Sequence, residues 1–310
     1  MHGLVVRNTG SWYTVAADDG SVWEAKVKGN FRIKGIRSTN PVAIGDRVTF
    51  TPLPDNTALI SDIDERKNYV IRKSINLSKQ SHILAANVDQ CFLIVTLRQP
   101  ETATTFIDRF LASAEAYRIP VVIVFNKTDL LDEEDLQLLN AMVNLYTTVG
   151  YECRCVSAEK GIGIEELRTM LTKQITLLSG NSGVGKSTLI NRLFPGLELK
   201  TAEVSDAYQT GKHTTTFSEM FPIEGGGYII DTPGIKGFGT FDMEREEVGH
   251  YFKEIFRFSA NCRFNNCTHT HEPGCAVRQA VEERDISISR YNSYLSMLDD
   301  KDEDRYRKGY

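Results

Sequence analysis

The sequence predicts three successive regions: a small all-β barrel, a larger α/β region built on a parallel sheet, and a mainly helical region with a metal cluster. Three observations lead to this prediction. Short β-rich runs open the chain, strands alternate with amphipathic helices from about residue 75, and cysteines and histidines cluster near the C-terminus. We place the three regions at residues 1–72, 73–240 and 241–310.

The composition is that of an ordinary globular protein, with 310 residues of which 41% are hydrophobic and 25% charged. No apolar run approaches the roughly 18–20 residues that a membrane-spanning helix requires, and the first residues lack the layout of a signal peptide. Six cysteines in a chain of this length suit a reducing compartment better than a disulfide framework. We therefore expect a cytoplasmic protein with no membrane partner.

The N-terminal runs predict an OB-fold, a small β-barrel that binds oligonucleotides on one face. The net charge of −5 argues mildly against a nucleic acid partner, but residues 1–80 carry 12 Lys and Arg against 8 Asp and Glu. Candidates for an RNA-binding face are Trp12, Tyr13, Trp23, Phe31, Arg32, Lys34 and Arg37. Alternatively, the aromatic side chains form the core of a generic OB or SH3-like barrel.

The middle of the chain alternates between predicted strands and predicted helices, as in a parallel sheet with crossover helices. The strands are predicted at residues 91–97, 121–125, 151–156, 175–179 and 228–231. The helices are predicted at residues 104–117, 132–149 and 164–171.

The segment GNSGVGKS, from Gly180 to Ser187, matches the phosphate-binding P-loop in full and follows a predicted strand. Its glycines let backbone N–H groups point at phosphates, and the following helix adds positive potential. We expect Lys186 to reach the outer phosphates and Ser187 to bind Mg²⁺. The other positions predicted to contact the nucleotide here are Gly180, Asn181, Ser182, Gly183, Val184, Gly185 and Thr188.

A second phosphate-side motif, DTPG, follows the strand predicted at residues 228–231. Asp231 would hold Mg²⁺ through water, and the Gly234 N–H would sense the γ-phosphate. The hydroxyl-rich segment GKHTTT at residues 211–216 suits a switch loop in which one threonine binds Mg²⁺. The residues alone leave open which threonine does so.

The base-reading motif NKTD comprises Asn126, Lys127 and Asp129 with Thr128, directly after a predicted strand. Its carboxylate would accept from N1–H and the exocyclic amine of guanine, and adenine has no N1–H to offer. Ser157 and Ala158 begin the remaining guanine-side loop, in which the Ala158 N–H would meet the base oxygen. The predicted ligands are therefore GTP and GDP, and a metabolic ATPase conflicts with NKTD.

These motifs occur in a permuted order, because Asn126 and Ser157 precede Gly180 whereas the P-loop ordinarily comes first. The sheet can still form, since the termini of a domain often lie close together. The sequence therefore predicts a circularly permuted P-loop GTPase, with Mg²⁺ bound alongside GTP.

Ile235 stands where many small GTPases carry a water-orienting glutamine, so intrinsic hydrolysis should be slow. His213 is the best local candidate for a catalytic residue, because an imidazole can hydrogen-bond the attacking water. Alternatively, His213 is a solvated loop residue. The second candidate function is that of a binding module that senses GTP and in which hydrolysis matters little.

Cys262, Cys267, His269 and Cys275 offer three thiolates and one imidazole within 14 residues, which suits a closed tetrahedral zinc site. Such a site is structural and would stabilise an element too small to fold on its own core. His271 is an alternative ligand, and the other three cysteines are more simply interpreted as buried strand residues.

The motifs together resemble those of the RsgA/YjeQ family of circularly permuted GTPases over nearly the whole chain. The resemblance is carried by Gly45-Asp-Arg-Val48, Ala85–Gln90, NKTD, GNSGVGKS, GKHTTT, DTPGIKGFG and the C-x4-C-x-H-x5-C cluster. It implies an OB-fold, a permuted GTPase domain and a domain with one structural zinc, whose ligands fall on the four residues named above.

The resemblance also implies a role and partners. Members of the family act in late maturation of the small ribosomal subunit and bind its rRNA. The subunit stimulates their GTP hydrolysis. The second threonine of the family's switch motif falls on Thr215, which we expect to bind Mg²⁺, and its histidine falls on His213. We expect the chain to act as a monomer.

Overall fold

The computed structural model describes residues 1–27, 41–72, 82–196, 218–231 and 243–307. The first five strands form a closed barrel in the order β1-β2-β3-β5-β4, with β4 pairing back onto β1. These strands are β1 (His2–Asn8), β2 (Tyr13–Ala17), β3 (Val22–Val27), β4 (Arg47–Pro52) and β5 (Thr57–Ile63). The predicted N-terminal barrel is confirmed.

The interior of the barrel holds Tyr13, one of the candidates for the RNA-binding face, so the alternative of a core position applies to this residue. Tyr13 is 3% exposed and packs with Val15 and Phe50, because alternate residues of β2 point inward. Trp23 is partly buried against the same core. Trp12 lies under the ammonium group of Lys26, at 4.1 Å from its ring centroid. The other proposed face residues, Phe31, Arg32, Lys34 and Arg37, lie outside the described residues.

The α/β region contains a six-stranded sheet in the order β10-β9-β8-β11-β13-β12, parallel except for the β12–β13 pair. Its strands are β8 (Gln90–Val95), β9 (Val121–Phe125), β10 (Glu152–Cys155), β11 (Ile175–Ser179), β12 (Ser218–Pro222) and β13 (Tyr228–Asp231). The helices are α1 (Thr104–Ala116), α2 (Glu133–Val149), α3 (Ile164–Leu171) and α4 (Lys186–Leu193). The carboxyl ends of the five parallel strands meet at one edge, where an open α/β sheet binds its ligands.

Backbone hydrogen bonds between two strands join the barrel to this sheet. β12 pairs antiparallel with β1, so that Arg7 lies opposite Glu219, and the barrel and the α/β region share one continuous eleven-stranded sheet. A separate hairpin of β6 (Tyr69–Arg72) and β7 (His82–Ala86) lies between the two regions in the chain. The barrel therefore has a fixed position on the edge of the α/β sheet.

The C-terminal region is mainly helical, as predicted. It comprises a 3₁₀ segment (Arg245–Tyr251), α5 (Lys253–Ser259), α6 (Ala276–Glu282) and α7 (Ile288–Arg307). Its small core includes Phe252 and Tyr294 and extends to Ala112 of α1. No helix among the described residues is long and apolar enough to cross a membrane.

A buried charge network attaches this region to the α/β region. Arg290 of α7 is 1% exposed and donates to Asp108 of α1 at 2.9 Å and to Glu254 of α5 at 2.6 and 3.0 Å. Asp108 also accepts from Ser293 at 2.6 Å and from Tyr146 at 3.0 Å. Burial raises the pKa of Asp108, so the guanidinium and these donors offset a real desolvation cost.

We predict that Arg290→Met destabilises the protein by about 3–5 kcal/mol, because two buried carboxylates lose their cation. The measurement is the urea midpoint followed by circular dichroism. Arg47→Met is the control, since Arg47 pairs with Asp18 on the surface and its loss should cost at most about 1 kcal/mol. Equal losses in the two variants would contradict the prediction.

Candidate nucleotide site and metal centre

The P-loop runs from the carboxyl end of β11 to the first turn of α4 and needs glycine at its two ends. Gly180 has a φ of +143°, and a Cβ there would lie 2.2 Å from the Ile94 carbonyl oxygen. Gly185 has a φ of +92°, and its Cβ would lie 2.5 Å from Nδ2 of Asn126. The backbone can therefore turn tightly against β8 and β9, which leaves the concave side to accept phosphates.

Lys186 lies across this loop. Its Nζ donates to the Gly180 carbonyl at 2.8 Å and to the Asn181 carbonyl at 2.7 Å. Ser187 follows in the first turn of α4, at the position from which a hydroxyl can bind Mg²⁺ beside the phosphates. The loop thus holds a cation and a hydroxyl beside backbone N–H groups, which is the donor set that a nucleotide's phosphates require.

Asn126 connects the two predicted base-reading loops to the P-loop. It is 3% exposed at the end of β9; its Nδ2 donates to the Val184 carbonyl at 2.9 Å, and its Oδ1 accepts from the Ala158 N–H at 3.1 Å. Lys127 adds a second tie, because its Nζ donates to the Gly183 carbonyl at 2.8 Å. The two predicted guanine-side loops and the P-loop therefore meet at one end of the sheet.

Asp129, the acidic residue of NKTD, is held in place by Ser157 of the second predicted guanine-side loop. The Ser157 hydroxyl donates to Oδ1 of Asp129 and accepts from the Lys160 N–H at 3.0 Å. The Asp129 side chain is otherwise exposed. A carboxylate oriented by a serine and open to solvent can accept two hydrogen bonds from the edge of a base.

The γ-phosphate side of the site is described only in part. Asp231 is the last residue of β13 and pairs in register with Leu178 of β11, which brings it to the same edge as the P-loop. The predicted residues His213, Thr215 and Gly234 lie outside the described residues.

The predicted metal cluster is assembled in the C-terminal region. The ligand atoms of Cys262, Cys267, His269 and Cys275 all lie within 4.8 Å of one another. Nδ1 of His269 is 3.6 Å from the sulfur of Cys262 and 3.5 Å from that of Cys275, and these two sulfurs are 4.0 Å apart. Such separations fit four ligands around one tetrahedral ion with bonds of about 2.0–2.3 Å.

The surroundings of the cluster suit a metal. Burial lowers the pKa of His269, which favours the neutral imidazole that binds metals. The Tyr291 hydroxyl donates to the His269 carbonyl at 2.6 Å and fixes the loop. His271, the alternative ligand, is exposed and lies outside the cluster.

One loop that borders the nucleotide site could not be identified from the sequence motifs. Residues 96–103 connect β8 to α1, and within them the Gln99 carbonyl accepts from Lys127 while Pro100 lies beside Gly183. The signal available in the sequence was the position of the loop after a central parallel strand, because such strands end at the binding edge.

Two family models match the chain: the model described as RsgA N-terminal domain over residues 2–60, and that described as RsgA GTPase over residues 63–241. Proteins named small ribosomal subunit biogenesis GTPase RsgA from Bacteroides fragilis and Phocaeicola vulgatus are 66% and 65% identical to this chain. Each alignment spans 310 residues and covers 100% of both chains.

Two solved structures share the fold over nearly the whole chain. YjeQ from Thermotoga maritima superposes with a TM-score of 0.79 at 37% identity, covering 97% of this chain and 98% of its own. YloQ, described as a circularly permuted GTPase, gives a TM-score of 0.76 at 28% identity, covering 97% and 95%. The chain belongs to the RsgA GTPase family and is a GTP-hydrolysing enzyme with a circularly permuted GTPase fold.

Proposed function

We propose that this enzyme acts in late maturation of the small ribosomal subunit, that it binds the subunit's rRNA, and that the subunit stimulates its GTP hydrolysis. The observation that carries the proposal is the convergence of two guanine-side loops and a P-loop through Asn126. The names of the relatives supply the ribosomal context. The chain would work in the cytoplasm as a monomer of three domains, at residues 1–72, 73–240 and 241–310.

In this proposal the site residues divide into a base-reading set and a phosphate-binding set. Guanine is read by Asn126, Lys127, Asp129, Ser157 and Ala158. The phosphates are bound by Gly180, Asn181, Ser182, Gly183, Val184, Gly185, Lys186, Ser187 and Thr188, with the Gly234 N–H at the γ-phosphate. The ligands of Mg²⁺, directly or through water, are Ser187, Thr215 and Asp231.

Hydrolysis requires a water aligned with the γ-phosphate and stabilisation of the charge that develops there. Lys186 supplies positive charge at the outer phosphates. Ile235 cannot orient a water, so we assign that role to His213, with the bound subunit completing the arrangement. This division explains why the enzyme would turn over slowly on its own.

The barrel is the proposed rRNA-binding domain. Its support is the excess of basic residues in the first 80 positions and the pairing of Trp12 with Lys26 on the barrel. An indole and an ammonium together match a stacked base and its phosphate. The inward orientation of Tyr13 removes that residue from the proposed face.

We predict that purified small ribosomal subunits raise the steady-state rate of GTP hydrolysis by about tenfold or more, because the partner completes the catalytic arrangement. Lys186→Ala should reduce the stimulated rate by about 100-fold, since a cation at the outer phosphates is lost. Lys173→Ala, an exposed lysine at the opposite edge of the sheet, is the control.

His213→Ala should lose most of the stimulated rate while it keeps its affinity for GDP. Full stimulation of His213→Ala would remove that residue from catalysis. A wild-type protein that binds GTP tightly but is not stimulated by the subunit would favour the nucleotide-sensing RNA-binding module.

We predict that Asp129→Asn weakens GDP binding by about 100-fold or more, because an amide N–H₂ cannot accept from guanine N1–H and the exocyclic amine. The same variant should prefer xanthosine diphosphate, whose carbonyl at position 2 accepts from the new amide. Titration with fluorescent nucleotide analogues measures both. Asp132→Asn is the control, since Asp132 caps α2 and asparagine caps a helix equally well. Unchanged GDP affinity in Asp129→Asn would contradict the base-reading assignment.

The metal that the Cys₃His cluster holds is, we propose, one structural zinc per chain. Cys262, Cys267, His269 and Cys275 would fill all four positions, which leaves none for a reacting water. The ion would stabilise the turns between α5 and α6, where the core is small.

We predict that Cys267→Ser loses most of the zinc found in the wild-type protein and unfolds at a lower temperature, because a thiolate ligand is removed. Zinc content is measured by atomic emission, and unfolding by calorimetry. Cys155→Ser, an exposed cysteine outside the cluster, should leave both unchanged. A folded wild-type protein free of zinc would contradict the assignment.

A further inference from the structure

The loop of residues 96–103 lies between the base-reading motif and the phosphate cradle. The Gln99 carbonyl accepts from Nζ of Lys127, and the same ammonium donates to the Gly183 carbonyl at 2.8 Å. Pro100 packs on the P-loop, since a Cβ on Gly183 would lie 3.3 Å from Cδ of Pro100. The loop therefore contacts NKTD at Lys127 and the P-loop at Gly183, although its own residues belong to neither motif.

Internal hydrogen bonds give this loop a fixed shape. The Thr96 hydroxyl donates to the Pro100 carbonyl at 2.5 Å, and the backbone of Thr102 donates to the Thr96 carbonyl at 2.9 Å. Gln99 has a φ of +51°, a left-handed conformation that costs a non-glycine residue about 1–2 kcal/mol. Neighbouring groups must impose that conformation, which aims the Gln99 carbonyl at Lys127.

An ion pair anchors the loop from outside. Nε and one terminal nitrogen of Arg98 donate to Oδ1 of Asp135 at 2.9 and 2.6 Å, and Nε also approaches Oδ2 at 3.2 Å. Asp135 is 5% exposed in the first turn of α2, where its N–H donates to Oδ1 of Asp132 at 2.8 Å. A guanidinium that contacts both oxygens of a fixed carboxylate has a defined orientation.

We propose that Arg98 and Asp135 are positioning residues for the guanine nucleotide. Their ion pair holds Gln99 and Pro100 against Lys127 and Gly183, and it thereby sets the spacing between the base-reading loop and the phosphate cradle. The proposal rests on the nucleotide site described under Proposed function. Neither residue touches the nucleotide; both act through Lys127 and the P-loop.

A purely structural role is the competing explanation, because Asp135 lies in the first turn of a helix, where a carboxylate stabilises the helix itself. The two explanations differ in what Lys127 does. If the ion pair acts by holding the loop on Lys127, most of the effect of its loss disappears once the Lys127 ammonium is gone, and only the contact of Pro100 with Gly183 is left to lose. If it only stabilises α2, the two losses are independent and add.

The test is a double-mutant cycle on the full-length protein. Kd values for GDP and for GTP carrying a fluorescent label are measured for wild type, Arg98→Gln, Lys127→Met and the double variant. We expect Arg98→Gln to weaken both nucleotides about tenfold and by the same factor, because the P-loop and Lys127 serve both. The loss of affinity in the double variant should be clearly smaller than the sum of the losses in Arg98→Gln and Lys127→Met.

Two further variants sharpen the result. Arg98→Lys keeps the positive charge but lacks the planar guanidinium, so it should recover part of the affinity that Arg98→Gln loses. Because the side chain at position 98 is half-exposed, Arg98→Lys also serves as the second variant if Arg98→Gln folds poorly. Asp18→Asn breaks a surface ion pair in the barrel and should bind GDP as the wild type does.

Wild-type affinity in Arg98→Gln would overturn the proposal, as would an additive loss in the double variant. Either result leaves the nucleotide site itself intact, because the wild type and Asp18→Asn would still bind GDP. Failure of the wild type to bind GDP would instead refute the site on which the proposal rests.

Discussion

The hydrogen bonds of Asn126 are the constraint on which the nucleotide site depends. One buried amide donates to the P-loop at Val184 and accepts from the second base-reading loop at Ala158. No other residue type of that size offers a donor and an acceptor in one planar group, so the three loops keep a single relative position. The glycine at 185 serves the same contact, because a side chain there would collide with the amide nitrogen.

Circular permutation is compatible with this site because the site depends on strand positions rather than on chain order. β11 carries the P-loop and lies between β8 and β13 in the sheet, although β8, β9 and β10 all precede it in the chain. Every parallel strand still delivers its carboxyl end to the same edge. Permutation changes which part of the chain follows β13. Here the C-terminal helical region follows β13, whereas the strands that carry NKTD and Ser157 precede it.

The sequence predicted the parts of the fold that local pattern determines and missed those that depend on distant pairing. Strands β9, β11 and β13 have the predicted bounds, because buried apolar runs end at recognisable loop motifs. The β1–β12 pairing joins residues more than two hundred positions apart, so no local pattern could reveal it. For Tyr13 the sequence left both the RNA-binding face and the barrel core open, because an aromatic residue in a short barrel strand suits either face until the register is known. The loop at residues 96–103 carries no motif, and its importance follows only from its contacts.

The loop at residues 96–103 leads directly into α1, and α1 packs against the C-terminal helical region. Asp108 accepts from Arg290 and Ser293 of α7, and Ala112 packs in the core of the C-terminal region. The buried charge network therefore attaches the C-terminal helical region to α1 through side chains that are separate from the four residues of the Cys₃His cluster. One face of α1 thus belongs to the C-terminal core, and the loop that leads into its N-terminal end contacts the P-loop through Pro100. Through α1 the nucleotide site and the C-terminal helical region share a structural element, in addition to the chain that joins them after β13.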